Sequence, residues 1–457
     1  MNITELRAIC GLGTIFTLRM LGIFMVLPVL TTYGIRLQGA NVSLIGVAIG
    51  IYGFVQLFCQ IPFGLLTDRL GCKPLIISGL LIFTIGSIIA ALTNSIWGII
   101  IGRALQGAGT ITAAVMAMLS DLTREQHRTT AMAVIGVSVS IAFAIAIVLG
   151  PIITNIIGLS GLFFLIAVLT IVSILITLFI VPTSHHHKIN RNVSIVSESI
   201  KNVITNKQLI KLNFGIFCLH TILMLSFITL PHMMTSASLL PVDQWKVYLV
   251  AILFSLATVV PCTIYAEMKQ CIKTVFLCGI TILLCSEIIL LSAGTNKCIV
   301  FIGIQLFFVA FNIMEAIIPY FISKEAPAGL KGTAMGIYST SQFSGVAFGG
   351  IIGGWLFQLR GAELIFLVGV SITLIWLLIS TTINEPPYVI SLRIDMPSKM
   401  STSKKQQLVQ ILIAELYVID VLLIPEENSA YIKVNKKQAN SILLNKLEKL
   451  VASYDIT

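Results

Sequence analysis

Charged residues are scarce in this 457-residue sequence. Asp, Glu, Lys and Arg make up 11% of it and hydrophobic residues 57%, whereas soluble globular proteins average about 25% charged residues. So little charge cannot cover the surface of a soluble fold of this size. The composition therefore excludes a soluble globular protein and predicts an integral membrane protein.

The residue patterns of an enzyme, a metal centre or a nucleic-acid binder are also missing. The nine cysteines include no Cys-x-x-Cys pair, a common spacing in zinc and redox sites. No nucleophile is accompanied by an apposed base. The net charge of +10 is not gathered in a basic patch with interleaved aromatic residues. We expect no enzymatic activity, no cofactor or metal, and no nucleic-acid partner.

Long hydrophobic runs, in contrast, are abundant. A helix needs roughly 20 apolar residues to cross a bilayer, and the sequence predicts twelve spans, numbered here in chain order. They cover residues 10–34, 43–66, 74–93, 97–120, 130–156, 160–181, 212–235, 245–266, 274–293, 298–322, 332–358 and 362–383. An even number of spans places both termini on one side of the membrane.

Lysine and arginine are unequally shared between the two sides. Of the 29 Lys and Arg, 14 lie at the N-terminus and in the even-numbered loops, and 4 lie in the odd-numbered loops. Cytoplasmic loops carry the excess of these residues, so both termini are predicted to be cytoplasmic. The first span lacks a small-residue cleavage site, and we expect no cleavable signal peptide.

A charged, glycine-bounded turn joins spans two and three. Residues 64 to 73 read Gly-Leu-Leu-Thr-Asp-Arg-Leu-Gly-Cys-Lys. Small residues at Gly64 and Gly71 let two helices approach closely while the chain reverses. Asp68 is able to accept hydrogen bonds from the free amides at another helix's N-terminus. The pattern predicts an intracellular gating loop.

This loop resembles the signature loop of the major facilitator superfamily, transporters of twelve helices in two six-helix halves. Three further segments resemble motifs of its fourth, first and fifth helices: Ile100-x-x-Arg103-x-x-Gln106-Gly107-x-Gly109, Leu21-Gly22 followed by Pro28-Val29, and Gly150-Pro151. The chain looks closest to the YajR-type bacterial inner-membrane transporters, which carry a small soluble domain after the last helix. The resemblance runs essentially end to end.

The resemblance implies a set of gating residues. In the superfamily the loop aspartate, here Asp68, caps the start of helix eleven near Gly332 and holds the outward-open state. An arginine beside it pairs with an aspartate of helix four, here Asp121. The gating residues expected on this basis are Gly64, Asp68, Arg69, Gly71, Lys73, Asp121 and Gly332.

One position departs from the family's pattern, because Cys72 stands where the family has that arginine. Lys73 or Arg69 would supply only a point charge, with poorer geometry than a bidentate arginine. We therefore expect a weaker latch and a gate tilted toward opening inward.

The chain repeats itself at a spacing of 203 residues. Leu119-Ser120 and Thr130-Ala131-Met132 reappear as Ile322-Ser323 and Thr333-Ala334-Met335, and Gly150 falls on Gly353. Parallel repeats are typical of transporters built from two bundles, with the substrate path between them. The predicted domains are an N-terminal six-helix bundle over 1–182, a cytoplasmic linker over 183–211 and a C-terminal six-helix bundle over 212–385.

After Pro386-Pro387 the composition becomes that of a soluble domain. The strand-like segments are Tyr388–Asp395, Tyr417–Ile424 and Ser429–Val434, and the helical ones are Lys404–Ala414 and Ser441–Val451. They predict a small α+β domain of ferredoxin-like type over 388–457. The resemblance implies a fourth edge strand, for which Tyr454–Thr457 is short. The predicted fold class is thus an all-α membrane protein of twelve transmembrane helices in two bundles, with this domain appended.

Ionisable residues deep in spans are functional candidates by default, because buried charge is expensive in a bilayer. They recur in every third span, and in the superfamily these four helices line the central cavity. Gln106 and Asn312 lie three residues from a charged neighbour on the same helix face. The predicted substrate and proton pathway comprises Arg19, Arg103, Gln106, His220, Asn312 and Glu315.

Proton coupling needs a group whose charge changes in the working range of pH. Arginine stays protonated, so Glu315 is the first candidate and His220 the second. Glu287 also lies deep in a span. Span nine is peripheral in the superfamily's fold, and we expect Glu287 to be packed or protonated rather than coupled.

The sequence and the resemblance together predict a monomeric secondary active transporter that exports a small solute against protons by alternating access. Two arginines and one glutamate favour an anionic or amphipathic solute over a cation. A metabolite importer or uniporter is an alternative, distinguished by whether flux needs a proton gradient. A second is a sensor whose tail binds a ligand or partner. The expected partners are the solute, protons and the lipid bilayer.

Removal of residues 388–457 should leave the twelve-span body inserted and folded, because every predicted cavity residue precedes the double proline, a stiff non-helical connector. Regulation or turnover should change while solute selectivity does not. Membrane insertion and solute binding of the truncated chain check this. Loss of all binding to a solute that the full chain binds would make the tail part of the transport site.

Overall fold

A computed structural model describes residues 3–182, 203–326, 331–385, 389–395, 411–412, 418–424 and 429–435. Its helices are α1 (Ile3–Tyr33), α2 (Val42–Leu70), α3 (Cys72–Leu92), α4 (Ile96–Ala108), α5 (Thr112–Leu122), α6 (Glu125–Phe179), α7 (Lys207–Ser236), α8 (Gln244–Met268), α9 (Ile272–Ser292), α10 (Lys297–Glu325) and α11 (Lys331–Thr381). Within these ranges, ten helical segments are long and apolar enough to cross a membrane, α4 and α5 together counting as one.

Two of these helices each contain two spans. At 1.5 Å per residue, α6 with 55 residues and α11 with 51 would far exceed the roughly 30 Å of bilayer hydrocarbon if they were straight. Each is interrupted at a glycine with positive φ, 75° at Gly158 and 67° at Gly361. Residues with a Cβ are strained in that conformation. The interruptions fall between predicted spans five and six and spans eleven and twelve, so the described residues contain the twelve expected spans.

Span four differs from the prediction of one continuous helix. The structure ends α4 at Ala108 and begins α5 at Thr112, and the amide of Thr110 donates to the Ala108 carbonyl at 2.8 Å. Gly109 lies directly against the Gly79 carbonyl of α3. This backbone contact leaves no room for a side chain at the break.

The repeat seen in the sequence is also a repeat of contacts. In the N-terminal half, Gly150 packs directly on Met25 of α1, and in the C-terminal half Gly353 packs on Ile228 of α7. Both members of the second pair lie 203 residues after those of the first. Spans one and five therefore pack as spans seven and eleven do.

The two halves meet closely on one side of the membrane. We call the side where α1 begins and α11 ends the near side, and the opposite side the far side. A Cβ at Gly46 of α2 would lie 2.6 Å from the Gly350 carbonyl oxygen of α11, and one at Gly50 would lie 2.7 Å from the Ile351 nitrogen. The Thr31 hydroxyl of α1 donates to the Phe227 carbonyl of α7 at 3.0 Å. These residues are in the far-side portions of their helices.

The same helices are apart on the near side. Among the described residues, no atom lies within 4 Å of a Cβ built at Gly332 or Gly336 in the first turns of α11. Gly136, near the start of α6, also faces open space. Among the described residues, the halves are thus in close contact on the far side, and these near-side glycines have no such contact.

The C-terminal segment contains three of the predicted strands: β1 (Val389–Asp395), β2 (Val418–Ile424) and β3 (Ser429–Asn435). They form an antiparallel sheet in the order β1-β3-β2, and Ile432 of the central strand pairs with Leu392 and with Val421. The three strand predictions are confirmed. The predicted helices, apart from residues 411–412, and the edge strand Tyr454–Thr457 lie outside the described residues.

Gly50→Leu should force the far side open, since a leucine cannot fit against the α11 backbone. Spin labels at Val42→Cys and Gln358→Cys, in a background without other reactive cysteines, should move apart in a pulsed distance measurement. Gly136→Leu is the matched control, because nothing lies near its Cβ position. A folded Gly50→Leu protein with an unchanged distance would show that this contact does not hold the halves together.

Candidate functional site

Two buried arginines of the N-terminal half meet around one tyrosine. The Nη2 of Arg19 donates to the hydroxyl of Tyr52 at 3.3 Å. The guanidinium carbon of Arg103 lies 4.8 Å from the centroid of the Tyr52 ring, within the range of a cation–π contact. All three side chains are buried. The structure therefore brings Arg19 and Arg103 together, as expected of residues on one pathway.

Arg103 is held by neighbouring helices. Its Nη1 donates to the Gln106 Oε1 at 2.9 Å, its Nε donates to the Ala48 carbonyl at 3.4 Å, and the Gln106 amide donates to Ser87 of α3 at 2.9 Å. This relay ties α2, α3 and α4 together. Gln106 thus orients Arg103.

The C-terminal half holds a polar triad. The amide nitrogen of Gln342 lies 2.9 Å from Nε2 of His220 and 3.4 Å from Oε1 of Glu315. His220 Nδ1 lies 3.3 Å from the Ile216 carbonyl, which can only accept, so the ring proton belongs on Nδ1 and Nε2 is free to accept. The two amide hydrogens of Gln342 then serve two acceptors, one on His220 and one on Glu315.

Glu315 is the more exposed of the two titratable members of the triad. Its side chain is 20% exposed, and its Oε2 lies 3.8 Å from His220 Nε2. Counted along α10 from Lys297, it lies about 27 Å from the far-side end of that helix, past its middle. Glu315 is therefore partly exposed in the near-side part of its helix.

Asn312 does not join this triad. Its amide donates to the Ser255 hydroxyl of α8 at 3.0 Å and to the Phe308 carbonyl at 2.9 Å. One stripe with Glu315 was expected from the spacing. The contacts instead direct Asn312 to the α8–α10 packing, because three residues along a helix turn a side chain by about 60° away from exact superposition.

Aromatic rings connect the halves beside the triad. Phe143 of α6 lies 5.0 Å from Phe24 and 5.2 Å from Phe311 of α10, centroid to centroid, and His220 lies 5.9 Å from Phe311. Centroid separations of this size are typical of interacting aromatic pairs. This apolar bridge between the halves was not predicted from the sequence.

The structure describes part of the predicted gate. Cys72 is buried, with its Sγ 4.0 Å from an Asp121 carboxylate oxygen. Lys73 does not take the arginine's place: its Nζ donates to the Val181 and Leu178 carbonyls at 2.9 and 3.2 Å, at the end of α6. A cation is favourable at that helix terminus. The side chains of Asp68 and Arg69 lie outside the described residues, so the expected cap near Gly332 stays a prediction.

Tyr52, Ser87 and Gln342 were missed by the sequence reasoning. A signal existed for Tyr52, which opens a polar series with Gln56 and Gln60 at intervals of four in span two. Gln342 carried a weaker one, as an amide within an otherwise apolar and small-residue span. Ser87 offers none, because a serine in a span satisfies its own hydroxyl on the helix backbone.

Glu287 lies apart from both clusters. It is buried on α9, and its carboxylate packs directly against Gly369 of α11. The expectation that it is packed agrees with this position.

Two repeated six-span halves, with ionisable residues buried at mid-membrane depth and one side open, define a polytopic membrane transporter, not an enzyme. Comparison with known families agrees. The Major Facilitator Superfamily model matches residues 9–350, and the YajR YAM domain model matches residues 392–452. The chain belongs to the major facilitator superfamily.

Individual relatives are consistent with this assignment. The chain is 54% identical over 436 residues to the inner membrane transport protein YajR of Escherichia coli (strain K12), covering 95% of this chain and 96% of that protein. It is 23% identical over 346 residues to the multidrug resistance protein MdtH of Baumannia cicadellinicola subsp. Homalodisca coagulata, covering 74% and 82%. A D-xylose-proton symporter structure matches with a TM-score of 0.67 at 13% identity, over 83% and 97% of the chains, which shows the fold alone.

Cys72→Arg should favour closure of the near side by adding a bidentate donor to the network of Asp121 and Asp68, the loop aspartate expected to cap the start of α11. Asp121 is exposed, so a gain made only in the closed state should be about 1 kcal/mol, which shifts the equilibrium about fivefold. Alkylation of Gly336→Cys, on the open wall, should slow accordingly in a background without other reactive cysteines. Cys72→Ser is the control that adds no charge. Equal or faster labelling of the arginine variant would contradict this.

Proposed function

We propose that this transporter exports a small amphipathic or anionic solute in exchange for protons, with Glu315 as the proton-carrying group. The observation that carries the proposal is the Gln342 amide joined to both His220 and Glu315. Protonation of His220 at Nε2 removes one of the two acceptors of Gln342. Protonation of Glu315 leaves an oxygen that still accepts, but it removes the carboxylate charge and so weakens the hydrogen bond from Gln342.

Proton binding is coupled to the conformational change if the inward-open and outward-open states solvate the charge of Glu315 unequally. Glu315 is partly exposed and lies in the near-side part of α10, and the lysine and arginine distribution supports a cytoplasmic near side. A proton bound at Glu315 removes a charge from a low-dielectric environment and lowers the cost of closing the near side. A proton gradient then biases the exchange between the two states.

Different observations support the direction of transport and the location of the protein. The absence of close contacts at the near-side glycines Gly332 and Gly336 among the described residues supports an inward-facing state, the one that would accept cargo for export. The similarity to a protein named for multidrug resistance supports efflux, and the similarity to YajR supports a multi-pass protein of the bacterial inner membrane. The lysine and arginine distribution supports cytoplasmic termini. The strand order β1-β3-β2 supports the ferredoxin-like type for the tail. We expect a monomer.

A proton-coupled importer is the second candidate, because the structural match to a D-xylose-proton symporter is of the same fold. The sign of solute movement under an imposed pH gradient distinguishes the two. Outward movement against inward protons supports the exporter.

Glu315→Gln keeps the size of the side chain and mimics its protonated form. Solutes that raise the melting temperature of the full chain would be assayed in proteoliposomes under an imposed pH gradient. Proton-driven transport should fall to the background rate, because glutamine neither binds nor releases the coupled proton, while solute exchange at equal pH survives.

Glu287→Gln is the matched control: the same change at a second buried carboxyl, away from the triad. It should transport near the wild-type rate. Gradient-driven transport at the wild-type rate in Glu315→Gln would overturn the assignment, and an equal loss in both variants would mean that a buried carboxyl matters only for folding.

A further inference from the structure

We propose that Arg19 is the site in the N-terminal half that binds a monoanion, either the carboxylate of an organic solute or a free halide, and that Gln56 completes this site. The inference rests on the proposed function only in taking this anionic group as part of the cargo. It separates the roles of the two arginines and of the two halves.

The two arginines differ in how their donors are used. Arg103 donates to Gln106 and to the Ala48 carbonyl. Arg19 donates from its Nη2 to Tyr52, while its Nε and Nη1 are buried and have no hydrogen-bond partner among the described residues. A guanidinium carries five N–H donors and no acceptor. The free N–H donors of Arg19 therefore need an acceptor from outside the described residues.

The distribution of charged residues in the N-terminal half also favours a bound anion. The first 182 residues contain four acidic residues, Glu5, Asp68, Asp121 and Glu125, and all lie in the near-side ends or loops. No carboxylate is thus available at the depth of Arg19 and Arg103 in their own half. Two positive charges in a bilayer without a counter-charge are costly, and the neutral Tyr52 offsets them only in part. A bound anion supplies the missing charge.

Unpartnered polar groups continue from this site toward the near side. Gln56 lies one turn beyond Tyr52 on the same face of α2. It is fully buried, and neither its Oε1 nor its Nε2 has a partner among the described residues. The buried hydroxyls of Thr110 and Thr112 are in the same condition. Buried polar groups are normally hydrogen-bonded, so a set of orphans marks a place where a polar ligand or water belongs.

Two contacts locate this set between α2 and the broken span four. Gly107 lies directly against the Tyr52 carbonyl, and a Cβ at Gly64 would lie 3.7 Å from Ala113. Gln56 falls between these contacts on α2, and Thr110 falls between them on span four. The polar stretch therefore runs from Arg19 toward the open side. An anionic group entering from there meets amide and hydroxyl donors before it reaches Arg19.

The test uses the purified full chain in detergent and three probes at equal ionic strength set with sodium HEPES: sodium benzoate, sodium chloride and the neutral benzamide. Melting temperature is recorded against probe concentration. Benzoate, chloride or both should raise it in a saturable way, and benzamide should not. A response to benzoate alone assigns the site to a carboxylate-bearing solute, and a response to chloride alone assigns it to a free halide.

Arg19→Gln should raise the half-saturating anion concentration at least about tenfold, and Gln56→Leu about threefold. Without anion, Arg19→Met should melt at or above the wild-type temperature, because it removes an uncompensated charge; a merely structural arginine would lower it. Lys297→Gln is the control, with the same charge change at an exposed position on the far side. If Arg19→Gln does not fold, Gln56→Leu and Arg19→Met still decide.

The proposal is overturned if neither anion stabilises the protein, if benzamide acts as benzoate does, or if Arg19→Gln and Gln56→Leu both respond like the wild type. Glu315→Gln separates this inference from the proposed function, since it should bind the anion normally. Retained proton-driven transport in Glu315→Gln would refute the proposed proton site and leave an Arg19-dependent anion response standing.

Discussion

The cost of leaving a polar group unpaired in hydrocarbon governs this molecule. Water is absent from the bilayer core, so a charge or amide within a span is costly unless a group on another element forms a hydrogen bond or ion pair with it. Arg103 donates hydrogen bonds to Gln106 and to a backbone carbonyl, and Asn312 donates one to Ser255. These pairings link neighbouring helices, and among the described residues the unpaired groups of Arg19 and Gln56 are candidates for binding a solute.

Backbone proximity is the second constraint, and it follows from the first. Polar side chains reach across to a neighbouring helix only if the helices are close, and glycine provides that closeness. Gly107 brings span four onto the carbonyl of Tyr52, and Gly46 and Gly50 bring α2 onto α11. The same kind of contact therefore sets the arginine cluster inside one half and the closed far side between the halves.

The two halves share a packing scheme but differ in chemistry. The pairs Gly150 with Met25 and Gly353 with Ile228 are copies of one contact. The N-terminal half nevertheless buries two guanidiniums, whereas the C-terminal half buries a histidine, an amide and a carboxyl. A duplicated scaffold with divergent polar residues allows one half to bind the charged part of a solute while the other carries a proton, because rocking of the halves moves both sites at once.

The sequence by itself determined the membrane class, the twelve spans, the internal repeat and the depth of Arg19, Arg103, His220 and Glu315, because hydrophobic length and repeated residues are properties of the chain read in order. Partners were decided only by the tertiary structure. Tyr52 between the arginines, Gln342 between His220 and Glu315, Asn312 on α8 and Lys73 on the end of α6 all depend on which helix faces which. Periodicity gives the face of a helix and its depth, but the neighbour that the face meets follows from packing across the whole bundle.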